Sequence, residues 1–370
     1  MKKKITVLPG DGIGPEVVNQ ALKVMKAVNY VYGHQFDCTT ELIGACSIDA
    51  TGSPITQDVI TTCSKSDAII LGAVGDLKYD NNPGLAVRPE QGLLELRKSL
   101  ELYANVRPIV TYELSNTCSP LKPEIIDGVD MVIIRELTGG LYFGKKHLSE
   151  DGQRATDLCV YTKDEINRVA KVAFELSMKR RKRLLLIDKA NVLETSRLWR
   201  TCIEDMSRQY PQVEVDYMFV DNAAMQLMRN PRQFDVILTE NMFGDIVSDQ
   251  CSIITGSMGM LPSASIGKHS ALFEPIHGSY PQAANKDIAN PFAAILSVAM
   301  MYEHFELYEE SELIKKSVEW ALNEEFVTPD LNSTDHFSCS KVGDLVSLFI
   351  QENGEVRLNR DNLMLSGSII

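Results

Sequence analysis

Phe-Asp-Val-Ile-Leu-Thr-Glu-Asn-Met-Phe-Gly-Asp-Ile-Val-Ser-Asp, residues 234–249, is the stretch from which the rest of the chain is best read. The β-branched and apolar run Val236–Leu238 predicts a short buried strand that ends at Thr239-Glu240-Asn241, and the residues after it predict the first turns of a helix. On that helix Asp245 and Asp249 are four apart, so their carboxylates share a face about 5–6 Å apart at Cβ. Such a pair is often just a solvated face that complements the positive end of the helix dipole. Two like charges this close also become favourable together when a divalent cation lies between them, and hard oxygen donors suit Mg²⁺ or Mn²⁺ better than zinc.

The chain has 370 residues, which points to two domains and leaves room for a cleft between them. With 44% apolar and 24% charged residues it has the composition of an ordinary soluble globular protein. The net charge of −13, from 37 basic and 50 acidic residues, argues against nucleic acid or an anionic membrane as the main partner. A small anion can still bind where arginines gather. The eight cysteines are scattered, with no Cys-x-x-Cys pair, and are expected to be reduced, mostly buried thiols of a cytoplasmic protein. Met-Lys-Lys-Lys at the start is followed by too short an apolar run for a signal peptide, and no stretch approaches the ~20 apolar residues of a membrane span.

Upstream, Ile5–Leu8 predicts a strand and Pro15–Val28 a helix, joined by Gly10-Asp11-Gly12-Ile13-Gly14. That spacing is Gly-x-Gly-x-Gly and not the dinucleotide fingerprint Gly-x-Gly-x-x-Gly, so it reads as a tight turn. Asp67–Val74 is apolar on both faces, as a parallel strand is, and a long loop follows over 75–89. A helix is expected from Arg88 to about Tyr103. Leu96, Leu100 and Tyr103 would face a core, while Glu90, Leu93, Leu94 and Arg97 form a second stripe at i, i+3, i+4, i+7. A carboxylate, two leucines and a guanidinium on one stripe fit a small ligand with an apolar branch and a carboxylate. Arg107 precedes Pro108, which forces extended backbone, and Arg135 ends the apolar run 131–134. Three arginines in an acidic chain make a reasonable dicarboxylate site, because guanidinium forks match carboxylates bidentately.

Residues 145–160 are polar and read as an arm or excursion toward another subunit. Lys163–Lys179 is a helix, Lys189 follows the strand Leu184–Asp188, and Val215–Val220 predicts a strand ending in Asp221, a third carboxylate. A lysine desolvated at a strand's carboxyl end can serve as a base. Residues 274–291 form a polar loop before a buried-type helix, and 351–370 are expected to pack loosely.

Six motifs together resemble the β-decarboxylating dehydrogenase family over Leu8 to about Phe349: Leu-Pro-Gly-Asp-Gly-Ile-Gly-Pro-Glu16, Arg-Pro-Glu-Gln-Gly-Leu-Leu-Glu-Leu-Arg97, Arg-Glu-Leu-Thr-Gly-Gly-Leu-Tyr-Phe-Gly144, Asp-Lys-Ala-Asn-Val-Leu193, Asn-Met-Phe-Gly-Asp-Ile-Val-Ser-Asp249 and Glu-Pro-Ile-His-Gly-Ser279. The resemblance implies a bilobed, non-Rossmann α/β fold: a large twisted mixed sheet with helices on both faces. One cofactor-binding lobe would be made of 1–103 and 256–370, and a dimerisation and metal/substrate lobe of 104–255, in a homodimer with shared active sites. Carried over by motif, Arg97, Arg107 and Arg135 would hold the substrate carboxylates. Asp245, Asp249 and a partner's Asp221 would bind Mg²⁺ or Mn²⁺, and Asp221 would also meet the substrate. Tyr142 and a partner's Lys189 would move protons, and Glu90, Leu93 and Leu94 would face the branch. Ile13, Gly259, His277, Gly278, Gln282 and Asn290 would line the NAD site, although Gln282 stands where NAD-using members usually carry Asp.

The chemistry implied is oxidation of a 2-hydroxy dicarboxylate by NAD, followed by loss of CO₂. Among the family's substrates the leucine stripe fits (2R,3S)-3-isopropylmalate, whose product is 4-methyl-2-oxopentanoate, the precursor of leucine. Isocitrate, homoisocitrate and tartrate are the rivals within the family. A metal-dependent phosphoryl hydrolase would leave the arginines and leucines without a role, and a silent regulatory subunit should have lost part of the machinery, none of which is missing.

Overall fold

The computed structural model describes residues 1–80, 85–352 and 354. Among the described residues twelve strands form in chain order: β1 (Lys2–Gly10), β2 (Gln35–Thr40), β3 (Ala68–Ala73), β4 (Ala104–Val110), β5 (Asp130–Glu136), β6 (Lys146–Leu148), β7 (Ala155–Asp157), β8 (Arg183–Asp188), β9 (Glu214–Phe219), β10 (Val236–Thr239), β11 (Pro262–Ile266) and β12 (Ala271–Pro275). Ten of them make one sheet in the order β2-β1-β3-β12-β11-β4-β5-β10-β8-β9. The first four are parallel neighbours and so are the last four. The two parallel halves meet through antiparallel pairings of β12 with β11, β11 with β4 and β4 with β5. The sheet is therefore large and mixed, as the motifs implied.

Strand alternation divides the core by face. In β3, Ala68 and Ile70 pack with helices Gly14–Tyr32, Phe292–His304 and Tyr308–Asn323 on one face, while Ile69 and Leu71 pack with Leu96 and Leu100 on the other. In β5, Val132 and Ile134 pack with the helices Lys163–Lys179 and Glu194–Ser207, and Met131 and Ile133 pack with Val247 and Ile254 on the reverse face. Four apolar clusters thus cover two faces of two half-sheets, which is why these strands are apolar throughout rather than alternating. Arg107 lies two residues from Ile109, and Arg135 two from Ile133, so both guanidiniums leave the sheet on the face of the Ile133 cluster.

Several expectations are corrected. The helix that begins at Pro89 ends at Ser99, and Leu100 is already outside α geometry, so Tyr103 belongs to the chain entering β4 and packs with the other half-sheet. Asp221 is not at a strand end but in the first turn of the helix Val220–Arg229. Four of the eight free thiols are buried (Cys63, Cys202, Cys251 and Cys339), which is half of them and not most. The polar arm contains an exposed two-stranded ribbon of β6 and β7. Positions 81–84 of the expected loop and nearly all of the segment 351–370 lie outside the described residues.

The turn after β1 shows where only glycine fits. Gly10 has φ +71°, and a Cβ on it would lie 1.9 Å from the carbonyl oxygen of Ala73; Gly33, at the end of the first helix, has φ +70° with nothing within 4 Å of that position. Gly33→Ala should therefore cost only the backbone term of about 1–2 kcal/mol. Gly10→Ala should add a steric term of a further ~1–3 kcal/mol. Urea unfolding of the two variants checks the difference, and equal losses would mean that the loop shifts freely away from Ala73.

Candidate active site

The helix Asn241–Gln250 starts directly after β10, capped by its own preceding residue: the Glu240 carboxylate accepts from the Phe243 N–H at 2.7 Å. Gly244 lets Arg135 cross close to this helix, since a Cβ there would sit 2.7 Å from Arg135 Cγ. Asp245 is thereby brought against two buried guanidiniums. Arg135 forms an ion pair with Asp245 Oδ1, and its Nη2 donates to Asn241 Oδ1 at 2.8 Å. Arg107 Nη2 lies 3.6 Å from Asp245 Oδ1, and its Nη1 donates to Asp249 Oδ1 at 3.2 Å and to Ser248 Oγ. The Tyr142 hydroxyl donates to Asp245 Oδ2 at 2.7 Å from the 3₁₀ turn Gly140–Tyr142.

Arg107, Arg135, Tyr142 and Asp245 line a cavity of about 280 Å³ together with Glu90, Leu93, Leu94, Arg97, Glu274, His277 and Gly278. It opens beside the antiparallel junction, with β4 and β5 supplying Arg107 and Arg135 and the helix Pro89–Ser99 supplying the stripe. Arg97 is only 8% exposed, so it does not snorkel to water. Its Nη2 donates to Glu274 Oε1 at 2.8 Å, while its Nε is buried without a hydrogen-bond partner. A buried guanidinium on the wall of a cavity, with a donor its own chain leaves unused, suits a carboxylate guest.

Burial lowers the pKa of both Arg107 and Arg135, the latter to about 10 with help from the neighbouring charge of Arg107, so Arg135 stays charged at neutral pH. Burial alone would raise the Asp245 carboxyl, but Arg135, the Tyr142 hydroxyl and Arg107 outweigh it and the group titrates below the usual carboxylate range. Asp249 moves the other way, because burial and the like charge of Asp245 together exceed the pull of Arg107. The Tyr142 hydroxyl is pushed up to about 12 by burial and by Asp245, so it holds its proton through neutral pH and can act as an acid.

The expected site residues do not all converge. Lys189 and Asp221 form an ion pair with each other and do not line this cavity. Among the described residues of one chain, no group of three or more His, Cys, Asp and Glu side chains is placed to hold a metal. Asp245 and Asp249 do offer two adjacent hard oxygen donors whose mutual repulsion a cation would relieve, so the donor chemistry fits Mg²⁺ or Mn²⁺ with further oxygens from substrate or a partner.

Of the residues expected for the cofactor, His277 and Gly278 line this cavity, and Ile13, Gly259, Gln282 and Asn290 do not. The Ile13 N–H donates to Ser279 O at 2.8 Å, which joins the turn after β1 to the loop after β12. His277 Nδ1 lies 2.9 Å from Gly278 O and is thereby the protonated nitrogen, leaving Nε2 a buried acceptor without a partner; burial also lowers the ring's pKa, so it stays neutral. Such an orphaned acceptor fits an N–H donor of a bound cofactor. Gly259 packs against Asn290, where a Cβ would stand 2.5 Å from Asn290 Cβ, and Asn290 Nδ2 donates to Asp330 Oδ2 at 3.0 Å. Gln282 is exposed in the 3₁₀ turn Pro281–Ala283. Sequence reasoning missed Glu274, Asn241, Ser248 and Asn105, which hold the three arginines. Their only signal was a polar residue at a buried strand or helix position.

Comparison with known proteins bears on what this cavity takes. Residues 4–346 match the family model for isocitrate/isopropylmalate dehydrogenase. The chain is 49% identical to the 3-isopropylmalate dehydrogenase of Bacteroides fragilis strain YCH46 over 354 residues, which is 95% of this chain and 100% of that protein. It is 50% identical to the 3-isopropylmalate dehydrogenase of Aquifex aeolicus over 348 residues, covering 93% and 94%. The crystal structure of isocitrate dehydrogenase from Methylococcus capsulatus superposes with a TM-score of 0.86 at 32% identity, covering 94% of this chain and 99% of that one.

Gly244→Ala tests the arginine placement. Alanine would favour the helix by about 1 kcal/mol, yet its Cβ displaces Arg135. We expect the Tm to change little while calorimetric affinity for malate, used as a dicarboxylate probe, falls at least roughly tenfold, the order lost with one charge-assisted pair. Unchanged malate affinity would show that Arg135 does not meet the ligand.

Proposed function

The chain belongs to the isocitrate/isopropylmalate dehydrogenase family, and from that premise we propose that it oxidises (2R,3S)-3-isopropylmalate at C2 with NAD and releases CO₂, giving 4-methyl-2-oxopentanoate for leucine biosynthesis. The observation that carries the substrate is the cavity itself, which is lined by Leu93, Leu94 and Arg97 of one helix together with Arg107 and Arg135 of two strands. Two leucines match an isopropyl branch, whereas the carboxylate of isocitrate or the hydroxyl of tartrate would be left unpaired against them. Relatives that carry the isopropylmalate dehydrogenase name share about half of all positions, while the isocitrate dehydrogenase structure shares 32%.

The chain's residues take distinct parts in this reading. Arg97, Arg107 and Arg135 bind and orient the two carboxylates, and Leu93 and Leu94 keep water from the branch. Bound at Asp245 and Asp249, Mg²⁺ or Mn²⁺ would polarise the C2 oxygen, and bound NAD would accept the hydride. Lys189 Nζ takes the hydroxyl proton, and the protonated Tyr142 hydroxyl returns a proton to the carbon that CO₂ leaves. Lys189 and Asp221 serve the cavity of a second copy. Support for that assembly is the apolar surface left on a single chain, where Leu148, Leu158 and Val160 of the arm and Ile246 beside the two aspartates are all exposed. The two lobes would be 1–103 with 256–370 and 104–255, meeting at the β11–β4 pair. Among the described residues no helix is long and apolar enough to cross a membrane, and reduced thiols suit the cytoplasm.

The test is nicotinamide reduction with isopropylmalate, isocitrate, homoisocitrate and tartrate. We expect isopropylmalate to lead in kcat/KM by at least about 10²-fold, the order set by an unpaired carboxylate or hydroxyl in an apolar pocket; a higher value for any other acid would overturn the substrate. Asp245→Asn should abolish most metal-dependent turnover, as should Lys189→Ala. Mixing the two inactive proteins through denaturation and refolding should restore activity in hybrid dimers whose lesions fall in one site. No gain over the separate variants would mean that each site is built from one chain. Gln282 is neutral, so it can hydrogen-bond the adenosine ribose but does not repel a 2′-phosphate. We expect NAD to be preferred over NADP, and Gln282→Asp to widen that preference mainly by worsening NADP. A native preference for NADP would remove Gln282 from the ribose site.

A further inference from the structure

Besides Tyr280 at φ 39°, the loop after β12 contains two residues in left-handed backbone conformation, Asn285 at φ 61° and Asp287 at φ 56°. Their N–H groups point to one place, the carboxylate of Glu16 in the first turn of the helix Gly14–Tyr32. Asn285 N–H donates to Glu16 Oε1, and Asp287 N–H donates to Oε2 at 3.0 Å. Backbone N–H groups arranged this way form a nest that commonly takes a phosphate or another anion. Here the protein's own carboxylate fills it.

The same loop is tied at further points, among them a hydroxyl bond from Ser340 Oγ to Asp287 Oδ2 at 2.5 Å. Ser279 O accepts from Ile13 N–H at 2.8 Å, Asp287 O accepts from Cys339 N–H at 2.8 Å, and Asp287 Oδ1 accepts from Ser340 N–H at 2.7 Å. Between these ties lie Gln282 and the approach to Asn290. Glu16 is half-buried and touches none of the groups that line the cavity.

We propose that Glu16 is a positioning residue for the NAD site: its carboxylate occupies the nest and fixes the 280–290 loop in the shape that meets the adenosine half of the cofactor. The inference rests on the proposed NAD-dependent activity. A left-handed residue is costly for a side chain other than glycine, and here two of them are held by one charged acceptor. The filled nest also closes a backbone anion site to the 2′-phosphate of NADP.

Glu16→Gln keeps one acceptor and turns an amide against the second N–H, and Glu16→Ala empties the nest. In both we expect KM for NAD to rise about tenfold, the order lost with one charge-assisted hydrogen bond, with kcat within about twofold and KM for isopropylmalate unchanged. NAD binding followed by protein fluorescence should weaken by the same factor. Acetate, as a small carboxylate, should refill the nest of Glu16→Ala and lower KM for NAD severalfold, while chloride at equal ionic strength should not. KM for NAD unchanged in both variants overturns the proposal, as does a parallel loss of kcat and both KM values that acetate does not relieve. Failure of the native protein to reduce NAD with isopropylmalate would instead refute the activity itself, so the two failures are told apart.

Discussion

Arg107 and Arg135 are buried side by side at 5% and 2% exposure. Two like charges out of water would destabilise the fold strongly if nothing answered them. The answer is local and layered: Asp245 lies against both, Asn241 and Asn105 accept from their Nε groups, and Ser248 accepts from Arg107. Asp245 is itself partly open to the cavity, so the charge cluster is compensated on the protein side and reactive on the other. Asp245, which holds both arginines in the fold, is thus also a group that a cation would engage.

The sheet topology is what makes such a cluster buildable. In a wholly parallel sheet, strand ends of one kind lie along one edge and ligands gather there. Here two parallel halves are joined by antiparallel strands, and the register sets Asn105 opposite Arg135 and Arg107 opposite Ile133. Side chains of β4 and β5 leave the same face within one pleat of each other, next to the helix that starts at the end of β10. The cavity therefore lies at the junction of the halves, with Leu93, Leu94, Arg97 and Glu274 coming from one half and Arg107, Arg135 and Asp245 from the other. Its walls are rigid elements, while the cofactor rim is made of loops pinned by backbone hydrogen bonds such as Ile13 to Ser279.

Glycine marks the places where two segments must touch. Gly244 admits Arg135, and Gly12 admits the carbonyl of Ser279, which would lie 2.0 Å from a Cβ. Gly12 sits in the turn that failed the dinucleotide fingerprint, and its spacing makes sense once the turn is seen to pack on protein backbone rather than to cradle a pyrophosphate.

Much was determined by the sequence alone, because it is carried by local pattern. The strand–helix unit at 234–249, the shared face of Asp245 and Asp249, and the stripe of Glu90, Leu93, Leu94 and Arg97 depend only on strand and helix periods, and they form as those periods require. The helix overrun to Tyr103 and the misplaced strand end at Asp221 arose because boundaries depend on what the next segment packs against. Only the tertiary structure decided that Arg97 faces Glu274, 177 positions away, that Arg135 shares Asp245 with Tyr142, and that Lys189 pairs with Asp221 outside the cavity of its own chain. Those pairings follow from strand order and register across a sheet whose central neighbours are far apart in sequence. No local preference encodes them; they arise when buried charges find the partners that make burial tolerable.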